Sequence, residues 1–194
     1  MAQEEQQELV AAVEGDVARL MAEHRERRKD WYFHEFVPWE QGRSYIDEPW
    51  EESQATVRPE VRTALVLNLL TEDNLPYYHL AIADRMPKGS AYDEWNHLWT
   101  AEEAQHAIAL RSYLLTSRNC DPHELEDDRM ATMEAGYDSP YEDPIALFVY
   151  TSAQELATRI SHRNAGALTD DEIAYKVMQR IAADENHHYL FYKG

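Results

Sequence analysis

The sequence predicts an all-α protein, a four-helix bundle preceded by an N-terminal helix and joined by additional connecting helices. Three observations carry this. Several long stretches repeat apolar residues at helical spacing, no stretch alternates as a strand does, and the links between the long stretches are short. At 194 residues the chain is one domain. Residues 1–58 form its N-terminal helix and connecting segment, and residues 60–192 its bundle helices.

The first helix spans about residues 5–28, with Leu9, Val13, Val17, Leu20 and His24 on one stripe. It ends in Arg25-Glu26-Arg27-Arg28-Lys29, where positive charge suits a helix C-terminus. Residues 30–58 hold Trp31, Pro38, Gly42 and Pro49 and read as a connection. The first bundle helix runs from about 60 to 86 and stops before Pro87-Lys88-Gly89, with Pro76 by itself marking only a helix irregularity. The second runs from about 91 to 118, capped by Ser90 with Asp93 three residues on. Asp121-Pro122 opens a shorter helix, acid as cap and proline at the first helical position. The third bundle helix spans about 142–163 and ends before Gly166. The fourth spans 170–192, opened by a capping box at Thr169-Asp170-Asp171-Glu172.

Lys plus Arg number 18 and Asp plus Glu 37, for a formal charge of −19. Such a surface repels phosphate backbones and excludes nucleic acid as the default partner. The single cysteine, Cys120, can form neither an internal disulfide nor a thiolate metal site, and fits a reducing cytoplasm. The polar N-terminus, Met-Ala-Gln-Glu-Glu-Gln-Gln, does not resemble a signal or transit peptide. No apolar run approaches the ~20 residues of a membrane span.

Glu-x-x-His on a helix sets a carboxylate and an imidazole about 60° apart on one face, within reach of one ion. Three such pairs occur: Glu94/His97, Glu103/His106 and Glu185/His188. One pair alone is weak, because a solvated face explains it as well. Trp99, Leu110 and Tyr113 share the face of Glu103 and His106, whereas Glu94 and His97 lie about 180° around, with Gln105 and Ser112. Glu185 and His188 are flanked by Met178, Ile181 and Tyr192. Two further carboxylates interrupt apolar faces: Glu72 among Leu65, Leu69 and Leu75, and Glu155 among Phe148, Ser152 and Thr158. A buried carboxylate is costly unless paired or bound to a cation. The order is Glu, Glu-x-x-His, Glu, Glu-x-x-His, with 31 residues from Glu72 to Glu103 and 30 from Glu155 to Glu185. This is the pattern of ferritin-like di-iron and di-manganese bundles. Four carboxylates and two imidazoles without a thiolate disfavour copper(I) and structural zinc. Four negative charges balance two divalent ions, so two iron ions fit, and manganese fits on the same grounds.

At these residues the chain resembles the soluble acyl-acyl carrier protein desaturases, the stearoyl type and its mycobacterial members in particular. The matching stretches are Thr71-Glu72-Asp73-Asn74-Leu75-Pro76, Trp99-Thr100-Ala101-Glu102-Glu103, Gln154 to His162, and Ala183-Asp184-Glu185-Asn186 with His188. Trp31 with Phe36-Val37-Pro38 extends the likeness upstream. The resemblance implies a ferritin-like homodimer that abstracts hydrogen from an acyl chain carried by acyl carrier protein. It implies O₂ and a reduced ferredoxin-type donor as partners. It implies Glu103 and Glu155 as bridging ligands, and Glu72 with His106 and Glu185 with His188 as terminal ones. Asp184 and Trp31 match positions that orient a ligand histidine. Thr158 matches the family's oxygen-side threonine; an ordinary helix threonine bonding back to a carbonyl is its other reading.

The chain departs from the family in reading Ala104-Gln105 where Asn-Arg is usual. It also stops six residues after His188, about 9 Å of helix, so it reads as a C-terminally short member. Acyl carrier proteins and ferredoxins are acidic and call for a basic patch; the one dense basic run is Arg25 to Lys29, read as a helix end or as that patch. Phe148, Leu69 and Trp99 are candidate walls of an acyl slot. Hydroxylation of another substrate, and a non-catalytic metal-binding relative, are the alternatives.

Overall fold

The computed structural model describes residues 3–194. It contains seven α-helices and, among the described residues, no strand: α1 Gln3–Arg27, α2 Pro59–Asp73, α3 Leu75–Ala83, α4 Ala91–Thr116, α5 Pro122–Ala135, α6 Pro144–Leu168 and α7 Glu172–Lys193. Three short 3-10 turns punctuate the connection between α1 and α2. The bundle consists of α4, α6, α7 and a broken column made of α2 and α3. α6 packs along α7, α2 lies on α4 and α6, and α1 covers α4 and α7 from outside.

The expected caps at Ser90 and Asp121 form. Ser90 Oγ accepts from the Asp93 N–H at 3.2 Å, and Asp121 Oδ1 accepts from the His123 N–H at 2.8 Å. Three boundaries differ from the sequence reading, each for a physical reason. The first bundle helix is two helices, because Pro76 has no N–H to give the Glu72 carbonyl and its ring crowds that carbonyl. The chain turns at Asn74, two residues after Glu72, and α3 ends at Ala83. α6 runs through Gly166 to Leu168. That glycine serves contact rather than termination: a Cβ there would lie 2.8 Å from the Met178 Cβ on α7. α7 begins at Glu172, because Asp171 rather than Thr169 is its cap, accepting from the Ile173 and Ala174 N–H groups at 2.8 and 2.9 Å.

Along every bundle column the order is apolar, polar, apolar. One apolar layer holds Leu65 and Leu69 of α2, Leu110 and Leu114 of α4, and Met178 and Ile181 of α7. The other holds Ile82 of α3, Trp95 of α4, Leu147 of α6 and Phe191 of α7, with Val10 and Val17 of α1 laid against it. Each well-buried Leu, Ile or Phe contributes about 1.5–3 kcal/mol. These two plugs offset a polar layer between them that would otherwise be costly to bury.

Candidate metal centre

The polar layer is built from six side chains on four helices. α2 supplies Glu72, α4 Glu103 and His106, α6 Glu155, and α7 Glu185 and His188; all six are buried. Their donor atoms form two groups. Glu72, Glu103, His106 and Glu185 make one, and Glu103, Glu155, Glu185 and His188 the other, with donors in each within 4.8 Å of one another. Glu103 and Glu185 are common to both groups. The resemblance implies Glu103 and Glu155 as the shared pair; in this arrangement Glu185 Oε1 comes 3.5 Å from His106 Nδ1 while Glu155 stays with His188. Glu94 and His97 are exposed, as their place on the opposite face of α4 predicts.

Both imidazoles turn Nδ1 inward. His106 Nδ1 lies 3.1 Å from Glu103 Oε2 and 3.6 Å from Glu72 Oε2. His188 Nδ1 lies 2.6 Å from Glu103 Oε1 and 3.7 Å from Glu155 Oε2. The outer nitrogens meet carboxylates across the bundle. His106 Nε2 faces Asp184 Oδ2 at 3.5 Å, and the Trp31 indole N–H donates to that oxygen at 2.6 Å. His188 Nε2 faces Glu102 Oε2 at 2.9 Å, and Glu102 also meets His24 at 2.9 Å and pairs with Arg28. Thr158 Oγ1 lies 3.1 Å from the Gln154 carbonyl, as an ordinary helix threonine does, and 3.1 Å from Glu185 Oε2. Trp99 donates to Glu155 Oε1 at 3.0 Å.

The family model described as fatty acid desaturase matches residues 5–194. The chain belongs to the fatty acid desaturase family. It is 39% identical over 198 residues to DesA1 of Mycobacterium tuberculosis, named for acyl-[acyl-carrier-protein] desaturation, covering 96% of this chain and 58% of DesA1. It is 35% identical over 148 residues to stearoyl-[acyl-carrier-protein] 9-desaturase 6 of Arabidopsis thaliana, covering 71% of this chain and 38% of that protein. The X-ray structure of DesA2 from Mycobacterium tuberculosis superposes with a TM-score of 0.73 at 28% identity, covering 95% of this chain and 67% of that one. The fold is thus that of the ferritin-like desaturases. The chain spans about 58% of the length of DesA1 and less than half that of the plant relative.

Within this family member the polar layer is strained electrically. Burial, joined by the Glu185 charge, holds the Glu155 carboxyl well above its usual range, and the same two causes raise Glu103. Burial disfavours charge on Glu185 too, but hydrogen bonds from His106 and His162 overcome it and hold Glu185 well below its usual range. His106 and His188 are raised well above 6.5 because the surrounding carboxylates outweigh their burial. The raised imidazoles stand as cations beside the lowered carboxylates Glu72 and Glu185, a role a metal ion fills with more charge. Glu103 Oε1 and His188 Nδ1 are buried, face one another at 2.6 Å and have no other hydrogen-bond partner among the described residues. Two lone-pair donors so placed fit a cation, and the all-oxygen-and-nitrogen donor set fits iron or manganese.

Two small cavities adjoin the layer. One, of about 40 Å³, is lined by Glu72, Glu155, Thr158 and Glu185 among others. The next, of about 70 Å³, is lined by Ile82, Leu147, Tyr150 and Thr151, and both share Tyr78, Trp99, Gln154 and Glu155. Of the three wall residues expected from sequence, Trp99 lines both cavities. Leu69 is sealed in the apolar layer, and Phe148 instead stacks on Tyr92 in an outer groove.

Sequence reasoning did not assign Glu102, His24 or His162. Glu102 was legible in part, since it precedes Glu103 as Asp184 precedes Glu185. His24 sat on the apolar stripe of α1 with nothing to mark it, and His162 lay in a matching stretch without a role.

Proposed function

We propose that the chain is an acyl-[acyl-carrier-protein] desaturase whose Glu72, Glu103, His106, Glu155, Glu185 and His188 hold two iron ions. The observation that carries the reading is the convergence of six buried donors from four helices into two groups sharing two carboxylates. The relatives' names support the acyl carrier protein as the carrier of the substrate. Two irons, when bound, supply the O₂-dependent oxidising power that an unactivated C–H bond requires.

The chain's own residues then do four things. The six donors fix the ions between two apolar plugs that exclude bulk water. Asp184, fixed by Trp31, and Glu102 hold the outer nitrogens of His106 and His188, which sets ring orientation. Tyr78, Trp99 and Leu147 line the space beside Glu155 in which an extended acyl segment lies against the centre. Thr158 holds an oxygen of Glu185 where both line the smaller cavity. A reduced ferredoxin-type donor supplies the electrons, and the protein acts as a homodimer.

Of the basic run, Arg27 pairs with Glu23, and Arg28 with Glu102 and Asp30. Those partners support reading the run as a helix end rather than as a patch reserved for an acidic carrier protein. The test is reconstitution with iron and reductant in air, followed by mass analysis of acyl-carrier-protein substrates. Loss of two hydrogens from the acyl chain is expected. An iron-loaded chain that yields only an oxygenated product moves the reading to hydroxylation, and one that consumes no O₂ with substrate present refutes it.

A further inference from the structure

Each carboxylate in the polar layer has two oxygens, and something must decide which one turns inward. For Glu155 that is Trp99, which holds Oε1 and leaves Oε2 toward His188. For Glu185, Thr158 holds Oε2. Glu72 receives neither indole nor hydroxyl. Its Oε2 points to His106 at 3.6 Å, and its Oε1 meets His162 Nε2 at 3.0 Å. The same His162 nitrogen lies 3.5 Å from Glu185 Oε1.

His162 is fully buried on α6, seven residues after Glu155 and four after Thr158. Positions 155, 158 and 162 share one face of the helix, so α6 presents a carboxylate, a hydroxyl and an imidazole to the same pocket. The other ring nitrogen, Nδ1, is buried with no hydrogen-bond partner among the described residues. Among the described residues the polar contacts of this imidazole are with two of the candidate ligands.

We propose that His162 is a positioning residue of the metal centre: its Nε2–H holds the outer oxygen of Glu72, so that Glu72 offers one oxygen to the ion beside His106. The proposal rests on the metal reading above. His162 is not itself counted as a ligand, because its Nε2 is spent on Glu72 Oε1 and it belongs to neither donor group. Loss of such an outer hydrogen bond weakens metal binding about 10–100-fold.

The test is anaerobic titration of the metal-free chain with cobalt(II), read by visible absorption and by metal count, for the wild type, His162→Ala, His162→Gln and His162→Asn. Glutamine places an N–H where Nε2 stands, and asparagine places one where Nδ1 stands. The wild type is expected to take up two ions with comparable affinity. His162→Ala and His162→Asn are expected to hold one of the two about 10–100-fold more weakly, with an altered spectrum, and His162→Gln to restore both ions. If the alanine variant does not fold, the glutamine and asparagine variants carry the comparison. A wild type that takes up two ions beside alanine and asparagine variants with unchanged affinity and spectrum overturns the role of His162 alone. So does a folded glutamine variant that binds like the asparagine one. A wild type that takes up no ion overturns the metal centre itself.

Discussion

The two halves of the polar layer are built on the same plan and finished differently. In each, the acid preceding one Glu-x-x-His reaches across to the histidine of the other: Asp184 to His106, and Glu102 to His188. In each, that acid pairs with an arginine, Arg180 or Arg28. In each, an aromatic ring lies nearly parallel to the histidine, Trp31 over His106 at 6.4 Å and 22°, and His24 over His188 at 5.8 Å and 23°. The difference is the chemistry of that ring. Trp31 offers one fixed N–H, whereas His24 has two nitrogens and a choice of tautomer. The half around His106 is thus oriented by a ring that can only donate, and the half around His188 by a ring whose nitrogens can donate or accept. Equivalent backbone positions do not make equivalent environments when the outer partners come from separate segments.

The largest effect tests what the halves share. Glu103→Ala removes a carboxylate common to both donor groups, and metal analysis is expected to find both ions lost rather than one, with O₂-dependent turnover abolished. Retention of one tightly held ion would mean that the halves are independent. Next come the acids that differ. Asp184→Asn and Glu102→Gln are each expected to weaken metal affinity about 10–100-fold. An unaffected Glu102→Gln variant would leave the His106 half as the one with a working outer partner.

Trp31→Phe is a smaller change, since Arg180 still pairs with Asp184. Loss of a hydrogen bond to a charged acceptor is expected to cost about 1.5–3 kcal/mol in chemical denaturation. His24→Phe keeps a ring over His188 and removes the tautomeric partner, so a smaller loss there would sharpen the contrast.

The smallest effect concerns the ion-free chain. Carboxylates facing His162, Glu185 and Glu72, outweigh its burial and raise its folded value to about 9 from 6.5. A raised base stabilises fully below 6.5, and that contribution is lost as pH rises through 9. The melting temperature of the ion-free chain is expected to fall across this window, and that of the iron-loaded chain to stay flatter, because the cations have replaced the protons. Equal slopes for the two forms would remove the idea that protonated imidazoles substitute for metal.

By itself, the sequence determined the helical class, the caps at Ser90 and Asp121, and the six side chains that meet in the polar layer. All of these are written in short range: a cap is three residues, Glu-x-x-His is one turn, and an apolar stripe is a repeat of three and four. The tertiary structure decided the rest. It paired residue 24 with 102, 31 with 184, and 72 with 162, separations of 78, 153 and 90 residues that no period connects. It made Gly166 a contact point rather than a stop, because the Cβ it lacks would collide with a helix that begins after it. It also made Glu185 rather than Glu155 common to both donor groups. Local periodicity fixes which face a side chain leaves from, whereas its partner is set by how the helices lie against one another, and that depends on the whole core at once.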